Sequence, residues 1–144
     1  MLLDQLSKLL VRNLLAPGNS VGVIGFFRIT RVENPGAAFG LLPNYQFIFL
    51  LTTALVVFFI FAYYRRLKPN DYLIKLALGL ELGGALGNLI DRVFLGQVTD
   101  FFDFRIWPVF NVADIAIVLG LLAFGLGVIN SCTDNQQESS LDSQ

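Results

Sequence analysis

The chain has 144 residues, 55% of them hydrophobic and only 15% charged, with a mean hydropathy of +0.65 and a formal net charge of −1. A soluble domain is about 25% charged, and a chain this short cannot bury so much apolar surface, so one domain in a lipid solvent is expected and no nucleic-acid partner. With no histidine and one cysteine, Cys132, the composition excludes Ser-His-Asp and Cys-His catalysis, His-ligated zinc or haem, and any disulfide; no metal or cofactor is expected.

Residues 1–15 (MLLDQLSKLLVRNLL) read as a helix with leucines on most faces, stopped by Ala16-Pro17-Gly18. The segment is too short to span and lacks the layout of a signal peptide, so it reads as the end of a span whose beginning is missing. From Val21 to Val32 the chain is rich in Val, Ile, Phe and Thr, and Glu33-Asn34-Pro35-Gly36 is a turn signal. A small β element over about residues 20–42 is predicted.

Spanning a bilayer takes about 20 mainly apolar residues in a helix. Residues 46–64 qualify without a charge, 72–90 carry Lys75, Glu81 and Asn88, and 110–129 carry Asn111 and Asp114. The polar residues 130–144 are predicted to be a disordered tail. Span parity places the 65–71 loop and the tail on one side, and the 17–45 and 91–109 segments on the other. Asn34, Asn88, Asp91, Arg92, Asp100, Asp103, Asn111 and Asp114 then gather at one membrane face, into which Asp4 and Lys8 lead. Charge does not fix which face is outside: Arg65, Arg66 and Lys68 stand against Lys8, Arg12, Arg28, Arg31, Arg92 and Arg105.

An ionisable residue within a span is a functional candidate by default, which singles out Asp114; the bland reading is a helix-start carboxylate favoured by the dipole. Asn111, three residues earlier, falls on the same helical face. Asp100 lies just before this span and at the same face. Two neighbouring carboxyls can share a proton, one serving as base to a water while the other polarises a carbonyl. Asp103 reads as a solvated loop acid. Gly79, Gly83 and Gly87 give small-xxx-small spacing for close helix approach. Arg92 is expected to hold loops or helices in place. Ser7-Lys8 makes a poor nucleophile pair, because adjacent helical residues diverge by about 100°.

Together the motifs resemble the lipoprotein signal peptidases. The matching stretches are Asp4-Gln5-Leu6-Ser7-Lys8, Asn34-Pro35-Gly36-Ala37-Ala38-Phe39, Gly83 to Arg92 (GGALGNLIDR), Val98-Thr99-Asp100-Phe101 and Phe110-Asn111-Val112-Ala113-Asp114, in the family's order and spacing. The resemblance implies an all-α membrane protein of four transmembrane helices, the first truncated at its N-terminus, with a small extracytoplasmic β-cradle. It implies a single peptidase unit over residues 1–129 and a cytoplasmic tail over 130–144. The implied enzyme is an aspartic endopeptidase of the bacterial inner membrane that cuts the signal peptide from diacylglyceryl-modified prolipoproteins. Asp100 and Asp114 would be the catalytic pair. Asn34, Gly36, Asn88, Arg92 and Asn111 would surround site and substrate, and Asp4, Lys8 and Asp91 would give structural support. Lipidated precursors and membrane lipids are the implied partners, a monomer the expected state, and the catalytic face lies outside. Glu81 departs from the family's apolar pattern and receives no role. The rival readings are a small proton-coupled transporter with a carboxylate relay and a non-enzymatic membrane assembly protein. The Gly-x-Gly-Asp sequence of presenilin-type proteases is absent.

Overall fold

In the computed structural model, residues 1–36 and 46–141 are described. The elements are α1 (Leu2–Leu14), β1 (Ser20–Ile24), β2 (Phe27–Asn34), α2 (Gln46–Tyr64), α3 (Tyr72–Leu95), β3 (Val98–Asp103) and α4 (Val112–Leu141). Among the described residues three helical stretches are long and apolar enough to cross a membrane: Phe47–Tyr64, Tyr72–Leu95 and Val112–Asn130. Their large side chains face outward; Phe47, Phe58, Phe59, Leu121 and Leu122 are all exposed. Such surfaces are stable in hydrocarbon and not in water.

α1 is inside-out by soluble standards. Its buried residues are Asp4, Lys8 and Val11, at helical spacing on one face, while Leu2, Leu3, Leu6, Leu10 and Leu14 are exposed. The leucines define the outer surface, and the charged face is the one that packs.

The three strands form one antiparallel sheet in the order β1-β2-β3. β1 and β2 fall within the predicted β element; residues 37–42 of that element, among them Ala37, Ala38 and Phe39 of the turn motif, lie outside the described residues. β3 corrects the sequence reading, which leaves residues 91–109 as a loop. The run Val98-Thr99-Asp100-Phe101-Phe102 has strand-forming side chains, and it becomes a strand because β2 offers an edge, with Val32 opposite Asp100 and Asn34 opposite Val98.

Two helix boundaries also differ from the sequence reading. α3 continues past residue 90 to Leu95, so Asp91 and Arg92 are helical, and Gly96 ends it in the left-handed region at φ 79° with its N–H on the Arg92 carbonyl at 3.2 Å. α4 begins at Val112 and runs to Leu141, where composition predicts a disordered tail from residue 130. Elongating an established helix costs far less than nucleating one, so a long apolar helix propagates into weakly helical sequence.

Candidate active site

Asp114 is fixed by the first turn of α4. Asn111 precedes the helix, and its Oδ1 accepts the Asp114 N–H at 3.0 Å; in return the Asn111 N–H donates to Asp114 Oδ2 at 3.1 Å. This reciprocal pair is a capping box built from Asn and Asp. Asn111 is thus a cap ahead of the helix rather than a residue on the helical face. Asp114 Oδ1 accepts Asn88 Nδ2 from α3 at 2.9 Å.

Asp100 reaches the same place from the sheet. Directly opposed strand residues share a face and diagonal neighbours lie within reach, so the Val32–Asp100 pairing brings Asn34 beside Asp100. Asn34 Nδ2 donates to Asp100 Oδ2 at 3.0 Å, and Asn111 Nδ2 to Asp100 Oδ1 at 2.6 Å. Asn111 therefore bonds both carboxyl groups. A backbone bridge closes the intervening loop: the Phe101 and Phe102 N–H groups donate to the Phe110 carbonyl at 3.0 and 2.8 Å. Stacked and tilted rings of Phe27, Phe102, Phe104 and Phe110 pack around that bridge.

The amide orientations follow from their committed oxygens. Asn34 Oδ1 accepts the Gly36 N–H at 3.0 Å in an Asx turn, Asn111 Oδ1 holds the Asp114 N–H, and Asn88 Oδ1 accepts Lys8 Nζ at 2.8 Å and Asn111 Nδ2 at 3.2 Å. Each Nδ2 must therefore point at a carboxylate.

Behind this layer lies a second one. Lys8, fully buried, spends its three donors on Asn88, on Asp4 Oδ2 at 3.0 Å and on Asp91 Oδ2 at 3.3 Å. Each of these two carboxylates also grips a backbone N–H one residue ahead of a site carboxyl. Asp4 Oδ1 accepts the Ala113 N–H at 2.9 Å, and Asp91 Oδ2 the Thr99 N–H at 3.0 Å. Arg12 donates to Asp91 Oδ1 at 3.4 Å and Thr99 Oγ1 at 3.1 Å, and Gln5 Nε2 bonds the Gly87 carbonyl and Asp91. Arg31 of β2 ties the sheet to the end of α1 by donating to the Arg12 and Leu15 carbonyls.

The two carboxyls face a cavity of about 310 Å³, whose lining includes Asn34, Asn88, Arg92, Trp107 and Val118. Arg92 donates to the Gly36 carbonyl at 3.3 Å and lies 4.9 Å from the centre of the Phe49 ring. Burial pushes the Asp100 carboxyl up from 3.8 to about 6, and the charge of Asp114 adds to the rise; the Asn34 and Asn111 amides and the Lys8 charge oppose it. Among the described residues no three Asp, Glu, Cys or His side chains converge as a metal ion would require.

All ten site residues singled out from the sequence fall within this connected region. Gln5, Arg12 and Thr99 are additions the sequence reading missed; Gln5 and Arg12 share the buried face of α1 once Asp4 and Lys8 are placed on it, and that spacing was the available signal. Asp103 sits apart at the far end of β3, where Thr30 Oγ1 donates to it at 2.7 Å; that hydrogen bond, with one from the Arg105 N–H, holds its carboxyl below the usual range. Glu81 packs its methylene carbons near Gly120 and makes no hydrogen bond or ion pair among the described residues.

The Gly79, Gly83 and Gly87 stripe is only partly a packing face: a Cβ at Gly79 would meet nothing within 4 Å, whereas one at Gly87 would lie 2.6 Å from Asp4 Oδ2. Gly87→Ala is expected to displace Asp4 from the Ala113 N–H, lowering both the unfolding temperature and peptidase activity, while Gly79→Ala leaves both near wild type. Thermal unfolding in detergent beside an activity assay separates the two.

Membrane-length helices with paired carboxyls at one end, one of them raised by burial to about 6, define a membrane-embedded peptidase of the aspartic type. Residues 1–130 match the family described as Signal peptidase (SPase) II. The chain belongs to that family. It is 56% identical over 121 residues to a lipoprotein signal peptidase of Moorella thermoacetica, covering 83% of this chain and 81% of the relative. It is 47% identical over 120 residues to one of Halothermothrix orenii, covering 83% and 82%. A bacterial membrane enzyme solved by the in meso method at 2.3 Å superposes with a TM-score of 0.86 at 30% identity, covering 92% of this chain and 84% of the other.

Proposed function

We propose that Asp100 and Asp114 are the catalytic pair with which this lipoprotein signal peptidase removes the signal peptide from diacylglyceryl-modified prolipoproteins. The observation that carries the reading is Asn111, which hydrogen-bonds both carboxyl groups at the wall of one cavity. Asp114, held by the capping box and by Asn88, serves as base. Asp100, buried and proton-retaining, serves as acid. Water loses a proton to Asp114 as its oxygen bonds to the scissile carbonyl carbon, and Asp100 donates its proton to the carbonyl oxygen. On collapse the C–N bond breaks, the leaving nitrogen takes the proton from Asp114, and the new hydroxyl returns one to Asp100.

Asn34, Asn88 and Asn111 hold the pair, and Asn34, Gly36, Asn88 and Arg92 border the space a substrate would enter. Asp4, Lys8 and Asp91 support them from behind. α1 serves as the membrane-inserted end of a first transmembrane helix truncated at its N-terminus, the sheet as an extracytoplasmic cradle, and residues 1–129 as one membrane-embedded unit acting as a monomer. The bacterial inner membrane with the carboxyl pair outside and the 65–71 turn inside suits a substrate whose acyl chains remain in the bilayer. The buried acids gather at one end of the helices instead of running along them, which counts against a proton relay.

The test uses the purified full chain and a precursor with and without the diacylglyceryl group on its cysteine. Cleavage of the lipidated form immediately before that cysteine, with the unmodified form left intact, is the expected result. Equal cleavage of both, or of neither, overturns the substrate reading.

A further inference from the structure

A second concavity lies between α2 and α3, toward the opposite end of the helices from the carboxyl pair. From Lys75 to Asn88 is 13 residues of α3, about 20 Å of helix. The groove is about 260 Å³, walled by Ile60, Phe61, Leu78 and Leu82, with Gly79 as its floor and Tyr64 and Lys75 at its mouth. Its length along α3, from Lys75 to Leu82, is about 10 Å, most of the hydrocarbon depth of one leaflet. The groove owes its depth to Gly79, where a Cβ would meet nothing within 4 Å.

Among the described side chains the charge at its mouth is one-sided. Lys75 Nζ donates to the Pro69 carbonyl at 2.7 Å and lies 5.6 Å from the centre of the Tyr72 ring, which holds it toward the α2–α3 turn. Arg65, Arg66 and Lys68 follow α2 in that turn and are exposed. Their side chains make no hydrogen bond or ion pair among the described residues. The one acid in the turn, Asp71, accepts the Lys68 backbone N–H at 2.7 Å. Four cations against one carboxylate, at the depth of the headgroups, complement an anionic phosphate.

We infer that this groove seats one acyl chain of an anionic glycerophospholipid, with its phosphate at the Lys75 mouth beneath the basic α2–α3 turn. The inference rests on α2 and α3 lying in the bilayer and not on the catalytic reading. A lipid there would stiffen the α2–α3 pair from the leaflet opposite the carboxyls, without touching them.

Native mass spectrometry of the delipidated full chain tests it, titrating phosphatidylglycerol and phosphatidylcholine of identical acyl chains, and inorganic phosphate as competitor. One phosphatidylglycerol is expected to bind at least about tenfold more tightly than phosphatidylcholine. Gly79→Leu, which fills the groove, is expected to abolish that binding while precursor cleavage persists. Arg65→Gln/Arg66→Gln/Lys68→Gln/Lys75→Gln is expected to bring the two lipids to parity, and because it alters the charges at the mouth and leaves the apolar walls intact, it decides the matter even if Gly79→Leu does not fold. Inorganic phosphate at millimolar concentration is expected not to displace the lipid. Parity of the two lipids on the unaltered chain, unchanged binding in either variant, or full displacement by phosphate would overturn the inference.

Discussion

Asp114→Asn is expected to lower kcat for precursor cleavage by about 10³-fold, and Asp100→Asn by a similar factor, because each removes one half of a proton exchange that general acid–base catalysis makes worth about 10²–10⁴. KM should move far less, since neither change alters the apolar walls of the cavity. The Asn replacements keep side-chain shape but convert an acceptor into a donor. At position 100 both partners, Asn34 and Asn111, already have their own oxygens committed, so one donor faces another and stability falls by about 1–3 kcal/mol. Activity must therefore be normalised to folded protein. Retention of a tenth of wild-type kcat by either variant would remove that residue from the catalytic pair. The pH profile gives a second reading. Asp100 titrates at about 6, well above its ordinary 3.8, because burial disfavours its charged form. Below that pH it carries the proton the mechanism requires; above it the proton is lost, so kcat/KM should decline as pH rises through about 6. The same sign governs stability. The fold binds this proton more tightly than the unfolded chain does, so its contribution is fully present at low pH and is lost as pH rises between about 4 and 6.

The candidate site was legible from the sequence to an unusual degree for one reason: in a membrane chain, polar residues are costly and stand out. Asp100, Asp114, Asn88 and Arg92 could be placed on one face by parity alone. Geometry was less accessible. β3 could not be read because its six residues take their partner from β2, and Asn34 is 66 residues from Asp100; no local period encodes such a pairing. The extra turn of α3 had a signal in Gly96, whose left-handed conformation stops the helix, but the site residues Asp91 and Arg92 had been placed beyond its end. The glycine stripe showed the converse limit. Spacing identifies a smooth helix face, yet only the position of α1 and α4 shows that Gly87 meets Asp4 and that Gly79 faces open space.

Lys8→Met should be the most damaging single change away from the cavity. Lys8 is 0% exposed and Asp4 and Asp91 are each 1% exposed, so the ammonium has no solvent substitute. Removing the ammonium strands Asp4 as an uncompensated buried charge, at a cost of about 3–5 kcal/mol; the apolar gain from a buried methionine is about 1.5–3 kcal/mol and does not offset it. Arg12 can relieve only Asp91, since it reaches Asp91 Oδ1 and has no bond to Asp4. The damage should also reach catalysis. Asp4 positions Asp114 through the Ala113 N–H, Asp91 positions Asp100 through the Thr99 N–H, and Asn88 loses the shorter of the two bonds that turn its amide toward Asp114. A double-variant cycle separates the charge effect from lost packing. If the stranded carboxylates dominate, Asp4→Asn/Lys8→Met should be more stable than Lys8→Met alone, with a coupling of the order of 1–3 kcal/mol. It should nonetheless stay impaired in cleavage, because Asp91 is left with Arg12 alone and Asn88 Oδ1 with only the longer bond from Asn111 Nδ2 at 3.2 Å. Additive losses in thermal unfolding would show that Lys8 acts by filling space, and the two-layer account of the site would fail with it.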